Sequence, residues 1–295
     1  SQLDAADGLK SNVFIAEVGP KTDPVDLDVT IDVDPAMGNA FQEAAAHITF
    51  VFSVEDNELP PPPLELDKHD AYICGYPDDT VKPERQITRA EVATIFYRLL
   101  QDEARENVWS RTNSYSDVAS GAWYNSAVST LTNAGILTGY EDGTFRPDAP
   151  ITRAEFATIA ARFYHAPEVT GDAFSDISGS WAREYINRAA ARGLIDGYED
   201  GTFRPNQNIK RDEAMKIINK VLFRTPDKEH FLPDMIKWPD NSNTDAWYYT
   251  DVQEATNNHD YERVNNTSPE TWTKITPARD WKALEAELAQ KYPNR

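Results

Sequence analysis

The sequence is poor in the residues that build covalent or metal-centred scaffolds. Its 295 residues include a single cysteine, Cys74, which excludes a disulfide framework and any site made of several thiolates. No apolar run approaches the roughly 18 residues that a membrane-spanning helix needs. The five histidines form no metal-ligand spacing, so no metal site and no cofactor are predicted.

Basic residues are also scarce, with 29 Lys and Arg against 49 Asp and Glu and a net charge of −20. A nucleic acid or an anionic membrane surface would need a compensating basic patch, so the composition argues against both partners. Half of the net charge lies in residues 1–63, which contain 12 acids and two bases. The chain begins at Ser1 without Met or a charged-then-apolar leader, which indicates a processed or trimmed product.

The N-terminal residues 1–59 are predicted to be rich in β-structure. The run 27–34 alternates apolar and polar residues, and the run 47–54 is rich in β-branched and aromatic residues. Because two or three strands are marginal as a separate domain, we interpret this segment as the end of a larger β-domain or as strands that pair with another copy. Four consecutive prolines then predict an extended, unpacked spacer over residues 60–66.

The rest of the chain contains an internal repeat. The nine residues Gly139–Pro147 recur unchanged as Gly197–Pro205, 58 positions later, and a divergent copy, Gly75–Pro83, lies 64 positions upstream. Each copy precedes a second shared segment of the form Ile-x-Arg-x-Glu. These segments begin at Ile87, Ile151 and Ile209. Elements that keep one register over several copies predict a repeat architecture.

Each full repeat predicts two helices. An Asp-rich turn leads to a Trp and a first amphipathic helix, which a glycine ends as a left-handed C-cap. Thr88 and Thr152 are predicted N-caps of the second helix, because Thr-x-x-Glu is a capping box. The glutamates of these boxes are Glu91 and Glu155. The third copy has Lys210 in place of the threonine and is predicted to lose its box.

The first repeat lacks a leading helix, and the far end of the chain supplies one. Val252 and Ala255 follow Trp247 by five and eight residues, and the helix after Trp123 has apolar residues at the same two distances. We therefore predict that the Trp247 helix packs with the first Gly-Tyr turn. Three units would then close around a pseudo-threefold axis, which covers both otherwise open ends of the array.

These repeats resemble the S-layer homology (SLH) triplet of bacterial surface proteins. The resemblance covers roughly residues 64–260 and rests on the three Gly-Tyr and Arg-x-Glu units with Asp and Trp upstream. It implies a mainly α-helical module with a three-helix central bundle and three prongs, which attaches proteins to the cell envelope. The resemblance also implies that the grooves between prongs hold secondary cell-wall polysaccharide, typically with pyruvate ketals. Residues 36–54 resemble the end of camelysin-like biofilm-fibre domains.

The predicted organisation has six parts. They are a β-rich segment (1–59), a Pro-rich linker (60–66), SLH repeats at 67–113, 114–171 and 172–230, and a C-terminal part (231–295) with the closing helix of the first repeat and a tail. An extracellular location at the bacterial cell wall or S-layer is expected from the resemblance. The expected partner is an acidic, peptidoglycan-linked polysaccharide, with self-association possible through residues 1–59 and no membrane insertion.

The predicted ligand site lies at the starts of the second helices. There, free backbone N–H groups and the helix dipole favour an anion, and a guanidinium can grip a carboxylate bidentately. A ketal pyruvate is an acid fused to a sugar ring, so an aromatic side chain would stack on it. The candidate carbohydrate-binding residues are Arg89, Arg153, Arg211, Arg146, Arg204, Trp123, Trp181, Trp247, and the glycines Gly75, Gly139 and Gly197, which allow close backbone approach.

Structural interpretations compete with these roles. Each Trp is also a candidate core anchor, and each helix-start Arg is also a candidate salt bridge between neighbouring prongs. Asp142 and Asp200 are predicted to stabilise turns, and Cys74 is predicted to be a buried small hydrophobe. An acid, Asp212, adjoins Arg211, so we rank the grooves that use Arg153 and Arg89 above the one that uses Arg211.

Two other functions compete with anchoring. Abundant acids and a sugar ligand would suit a glycosidase, but the carboxylates occupy cap and turn positions and no Gly-x-Ser-x-Gly motif occurs, so no enzyme is predicted. The second is a self-assembling S-layer or fibre subunit whose N-terminal strands pair with neighbours. A calcium loop of the EF-hand type is disfavoured, because Tyr140 and Tyr198 occupy a position that needs an oxygen ligand.

Overall fold

A computed structural model describes residues 61–164, 169–265 and 268–295. The predictions for residues 1–59, which concern the β-rich segment, its pairing and its camelysin-like resemblance, lie outside these described residues. The described part is mainly helical, as predicted, with eight α-helices and a small antiparallel sheet of two strands.

The elements follow one another in a simple order. The helices are α1 (Arg89–Leu99), α2 (Asp102–Val108), α3 (Asn125–Asn133), α4 (Arg153–Arg162), α5 (Arg183–Ala191), α6 (Arg211–Val221), α7 (Tyr249–Thr256) and α8 (Trp281–Lys291). The strands β1 (His259–Glu262) and β2 (Thr271–Ile275) pair between α7 and α8, with an irregularity in register after Asp260.

Capping explains where the second helices begin. The Thr88 hydroxyl accepts the Glu91 N–H and the Glu91 carboxylate accepts the Thr88 N–H, and α4 starts in the same way, as predicted. At α6 the prediction is half wrong. The Lys210 side chain offers no oxygen, but the Glu213 carboxylate still accepts the Lys210 N–H at 2.9 Å.

Three helix pairs carry the core. Helix α1 packs on α3, α4 on α5, and α6 on α7, and each buries an apolar stripe. On α1 the stripe includes Val92 and Phe96, both fully buried, as the sequence predicts. The first helices are followed by Gly135 and Gly193 with φ of 71° and 70°, the left-handed conformation that was predicted for their C-caps.

Three backbone hydrogen bonds link the starts of α1, α4 and α6. The N–H of Ile151 donates to the carbonyl of Ile87, Ile209 donates to Ile151, and Ile87 donates to Ile209, at 3.0–3.2 Å. These bonds therefore form a closed cycle that joins residues 122 positions apart. All three isoleucines are fully buried, so the cycle lies in the core.

The C-terminal part contacts the first Gly-Tyr turn. The Asp240 carboxylate accepts the N–H groups of Val81 and Lys82, just as Asp117 does for the corresponding residues of the middle turn. The N–H groups of Tyr72 and Ile73 donate to Ala255 at the end of α7. The Trp247 segment thus occupies the place that α3 and α5 occupy beside the other two turns.

Two local predictions are wrong. Leu64, in the stretch predicted to be an unpacked spacer, is buried and pairs with Leu100 through a β-bridge, because an apolar residue after the prolines can cover the end of α1. Cys74 is exposed rather than buried, and its sulfur accepts a hydrogen bond from Arg98. Its neighbours Tyr72 and Ile73 face the core instead.

Candidate functional site: grooves beside the Gly-Tyr turns

A groove of about 870 Å³ lies beside the middle Gly-Tyr turn, and we call it the second groove. One wall is the turn Gly139–Asp142, and another is the α4 face that carries Glu155 and Arg162. Arg89 reaches it from α1, and Trp181 reaches it from the following repeat. Three successive segments of the chain therefore contribute side chains to a single groove.

A smaller groove of about 290 Å³ lies beside the first Gly-Tyr turn, and we call it the first groove. Its lining repeats that of the second groove position by position, with Arg211, Glu91, Arg98 and Trp123 in corresponding places. Arg211 comes from the last of the three second helices. The first groove is therefore completed by residues from opposite ends of the repeat region.

The three helix-start arginines are buried and form the same contacts. The Nε of Arg89 donates to the Phe145 carbonyl at 2.7 Å, Nη1 donates to Glu155 at 2.8 Å, and Nη2 donates to the Thr138 carbonyl at 3.3 Å. Arg153 and Arg211 contact the corresponding atoms of the next turn in the cycle. These contacts match the alternative interpretation, in which each arginine forms a salt bridge between neighbouring repeats.

Ligand contact by these arginines nevertheless stays a prediction. Arg89 uses three of its five N–H bonds in the contacts above, and it lines the second groove. It also lies over the rings of Tyr140 and Phe145, at 4.8 and 4.6 Å from the ring centroids. Three hydrogen bonds and two rings thus hold the guanidinium in place at the lining of the groove.

The capping glutamates tie each arginine to a tyrosine of the turn. The Tyr76 hydroxyl donates to Glu91 and the Tyr140 hydroxyl donates to Glu155, both at 2.7 Å. Burial opposes ionisation of Glu91, yet the Thr88 N–H, the Tyr76 hydroxyl and Arg211 together lower its pKa. Burial and the bond to the glutamate raise the pKa of Tyr76 and of Tyr140.

The three tryptophans after the Asp turns are exposed, so the interpretation as core anchors is wrong. Trp123, Trp181 and Trp247 expose 62%, 65% and 54% of their surface. Trp123 lines the first groove and Trp181 the second, and Lys216 lies 5.3 Å from the Trp247 ring. An aromatic ring that stays exposed beside a polar groove is suited to stacking on a sugar, which stays a prediction.

The glycines of the Gly-Tyr turns face rings of the protein itself. A Cβ on Gly139 would come within 2.3 Å of Tyr115, one on Gly197 within 2.4 Å of Phe174, and one on Gly75 within 2.2 Å of Trp238. Close approach to the glycine backbone is therefore required at these positions. The group that approaches is an aromatic side chain of the Asp turn. Gly139 also lines the second groove, so its contact with a ligand stays a prediction.

Arg146 and Arg204 lie on the outer edges of their turns. Arg146 has a positive φ of 57°, pairs with Asp142 at 2.8 Å and stacks 3.9 Å from the Tyr140 centroid, and Arg204 repeats this arrangement. The Asp142 carboxylate accepts the N–H and hydroxyl of Thr144, which confirms its predicted role in the turn. Arg146 lines the second groove and stays a candidate ligand contact.

Sequence reasoning missed a second basic residue in each repeat. Arg162 lies in the last turn of α4, half-buried against the second groove, where it donates to the Ile136 carbonyl. Arg98 lines the first groove in the same way, and Lys220 is at the equivalent position of α6. Each lies nine residues after the helix-start arginine, and this constant spacing is the signal that would have revealed them.

A family model for the S-layer homology domain matches residues 69–93, 114–157 and 173–215. These matches contain the Gly-Tyr turns and the starts of α1, α4 and α6, the residues that build the grooves. The chain therefore matches the S-layer homology domain at three places.

Several curated proteins are similar to the chain over half of its length or more. Cell surface glycoprotein 1 of Acetivibrio thermocellus is 38% identical over 208 residues, which is 66% of this chain and 9% of that protein. The cellulosome-anchoring protein of the same organism is 37% identical over 68% of this chain and 45% of its own length. The amylopullulanase of Thermoanaerobacterium thermosulfurigenes is 35% identical over 51% of this chain and 8% of that enzyme.

The chain thus spans less than half the length of these relatives. Within the described residues, no helix combines the length and the apolar character that crossing a membrane requires.

Proposed function

We propose that this chain anchors a surface or S-layer protein non-covalently to the bacterial cell wall. The S-layer homology domains and the cell-surface and cellulosome-anchoring relatives support wall anchoring and an extracellular location at the wall or S-layer. The ligand that we propose is a secondary cell-wall polysaccharide that carries carboxylates, such as pyruvate ketals, and binds in the grooves between repeats.

A single observation carries the polysaccharide proposal. In the second groove, the fixed guanidinium of Arg89, the half-buried Arg162 and the exposed ring of Trp181 face one space of about 870 Å³. Two cations suit a carboxylate, and an exposed indole suits the apolar face of a sugar ring. The net charge of −20 is no obstacle, because the positive groups are local to the groove.

We also propose the arrangement of the repeats as a pseudo-threefold module. The closed cycle of isoleucine hydrogen bonds and the contact of Asp240 with the first turn support it. So does the pair Arg211–Glu91 at 3.2 Å, which joins the last second helix to the first. In such a module each groove forms between adjacent units, and Arg211 of the third repeat completes the first groove.

A catalytic role for the groove carboxylates is disfavoured by their hydrogen bonds. Both oxygens of Glu155 are occupied: Oε2 accepts from the N–H and hydroxyl of Thr152, and Oε1 accepts from Tyr140 and Arg89. A general acid needs a proton to give, and a nucleophile needs a free lone pair. We therefore propose that the chain binds polysaccharide without cleaving it, unlike its relative named as an amylopullulanase.

Co-sedimentation with purified cell walls tests the proposed function. The full chain should sediment with walls that keep their polysaccharide and stay in solution with walls stripped of it. Arg162→Ala should weaken binding about tenfold, because it removes a groove cation worth roughly 1–2 kcal/mol. The matched control is Arg183→Ala, which removes an exposed ion pair with Asp172 and should bind like the parent chain. Equal sedimentation with stripped walls would refute polysaccharide anchoring.

A further inference from the structure

Four side chains that could ligate a metal meet in the C-terminal part, away from the grooves. Glu254 lies on α7, His259 begins β1, Glu270 directly precedes β2, and His69 lies ahead of the first Gly-Tyr turn. All four side chains are fully buried. One donor atom from each of the four lies within 4.8 Å of the donor atoms of the others.

The distances among these atoms fit a tetrahedral ion. His69 Nδ1 lies 3.1 Å from His259 Nε2, 3.0 Å from Glu254 Oε1 and 3.6 Å from Glu270 Oε2. His259 Nε2 lies 3.4 Å from Glu254 Oε2. Four ligands bound to zinc at about 2.0–2.1 Å in a tetrahedron are separated by about 3.3 Å, and these four distances of 3.0–3.6 Å lie close to that value.

Hydrogen bonds leave part of this convergence of lone pairs unpaired. The Nδ1 of His259 faces the Asn257 carbonyl at 3.1 Å, so the proton belongs there and Nε2 points a lone pair into the cluster. His69 Nδ1 faces three acceptors, but a single proton can satisfy only one of them. Glu270 Oε2 is buried and has no hydrogen-bond partner. Lone pairs that face one another repel, and a bound cation would remove this repulsion.

Neighbouring side chains hold the four residues in place, as the outer contacts of a metal site hold its ligands. Arg263 binds the far oxygen of Glu270 at 3.1 Å, and the indole N–H of Trp272 donates to Glu254 at 3.3 Å. The His259 ring stacks on Trp272 with centroids 3.9 Å apart, and the His69 ring stacks on Tyr261 at 3.8 Å. Both imidazoles are thereby locked in the orientation that points nitrogen into the cluster.

We propose that His69, Glu254, His259 and Glu270 form a binding site for a divalent transition-metal ion, with zinc as the best fit. Imidazole and carboxylate together suit zinc, and four protein ligands leave no open position, so the ion is structural rather than catalytic. It fastens the β1–β2 hairpin and α7 to the segment ahead of the first Gly-Tyr turn. A cleft of about 360 Å³ lies next to His69 and His259.

The competing description is a set of buried ion pairs without metal. Arg224 lies 3.3 Å from Glu254 and Arg263 pairs with Glu270, so two guanidiniums already balance the two carboxylates. Neither arrangement could be predicted from the sequence, because His69 and His259 are 190 positions apart.

Metal titration of the full chain, stripped with a chelator and dialysed, separates these descriptions. We expect one Zn²⁺ per chain by calorimetry and by elemental analysis, and a Tm raised by about 5 °C or more at saturating Zn²⁺. Co²⁺ in place of Zn²⁺ should give the intense visible absorption of a tetrahedral site. A folded, stripped chain that binds no stoichiometric ion, or that binds Co²⁺ with a weak octahedral spectrum, would overturn the proposal in favour of ion pairs alone.

Two variants locate the ion. Glu270→Gln keeps the shape of the side chain and should weaken Zn²⁺ binding by at least about tenfold. The matched control is His230→Gln, which changes an exposed histidine outside the cluster and should bind Zn²⁺ like the parent chain. Undiminished binding by Glu270→Gln would place the ion elsewhere and refute the assignment. Should this variant not fold, the Co²⁺ spectrum of the parent chain decides alone.

Discussion

The Arg211 guanidinium donates to the Glu91 carboxylate across 3.2 Å, although the two residues are 120 positions apart. The same bond joins Arg89 to Glu155 and Arg153 to Glu213. Each glutamate caps the helix that begins with the next arginine of the series, so the three pairs follow one another in a cycle. Helix capping and the packing of repeats therefore depend on the same carboxylates.

Removing one of these carboxylates should destabilise the whole repeat region. In Glu91→Gln the amide cannot neutralise the buried Arg211, and α1 keeps only a weaker cap. We expect a loss of about 2–4 kcal/mol in the free energy of unfolding, measured by urea denaturation at pH 7.5. The control Glu184→Gln breaks an exposed pair with Arg188 and should cost no more than about 0.5 kcal/mol. Equal losses in both variants would contradict the cyclic account.

The exposed tryptophans should matter for binding and little for folding. Trp181→Ala removes the ring that lines the larger groove, so wall binding should weaken about tenfold while stability changes by no more than about 0.5 kcal/mol. Ile236→Ala is the control, since it also truncates an exposed apolar side chain. Parallel assays of Trp123→Ala and Trp247→Ala test the ranking of grooves. The groove of Arg211, which Trp123 lines, should show the smallest loss.

Gly139 should tolerate no side chain. A Cβ there would meet the Tyr115 ring at 2.3 Å and the Thr144 carbonyl at 2.7 Å, and the backbone oxygen cannot rotate away. We expect Gly139→Ala to cost about 1–3 kcal/mol in thermal or urea unfolding. Gly121→Ala, where a Cβ meets nothing within 4 Å, is the matched control and should unfold like the parent chain. A neutral Gly139→Ala would mean that the turn and Tyr115 are not packed as described.

Asp212 should make stability depend on pH. Burial raises its pKa from 3.8 to about 6, so the folded chain holds this proton more tightly than the unfolded chain does. The ionised side chain therefore destabilises the fold above pH 6, and this penalty disappears as the pH falls from 6 to 4. Asp212→Asn should gain about 1–3 kcal/mol at pH 7.5 and nothing at pH 4.

Asp142→Asn is the matched control for that experiment, because the pKa of Asp142 is shifted in the opposite direction. The Thr144 hydroxyl and Arg146 lower the pKa of Asp142 to about 2, so its ionised form stabilises the fold. Asp142→Asn should be less stable than the parent chain at pH 7.5, and this difference should shrink as the pH falls towards 2. A gain from Asp212→Asn that does not change with pH would show that packing, not ionisation, is responsible.

Local patterns in the sequence predicted the helices well. Thr-Arg-Ala-Glu located the starts of α1 and α4, and a constant offset of 58 residues related the second and third repeats. Each capping box depends on residues within one helical turn of each other, and the repeat offset can be counted directly in the sequence. The helix-start arginines were found for the same reason.

The environment of side chains was harder to predict. The tryptophans after the Asp turns precede helices with buried residues, yet their own side chains are exposed. That Arg89 meets Glu155 rather than Glu91 depends on how repeats contact one another, and the sequence alone does not fix this. The buried His69–His259 contact depends on chain closure over 190 positions.

The most direct test of wall anchoring is calorimetric titration of the full chain with purified wall polysaccharide, before and after acid removal of its ketal carboxylates. We predict saturable binding to the intact polymer and a loss of at least about tenfold for both the deacidified polymer and Trp181→Ala. Equal affinity for the two polymers, or an unchanged affinity of Trp181→Ala, would contradict recognition of an acidic sugar in the second groove.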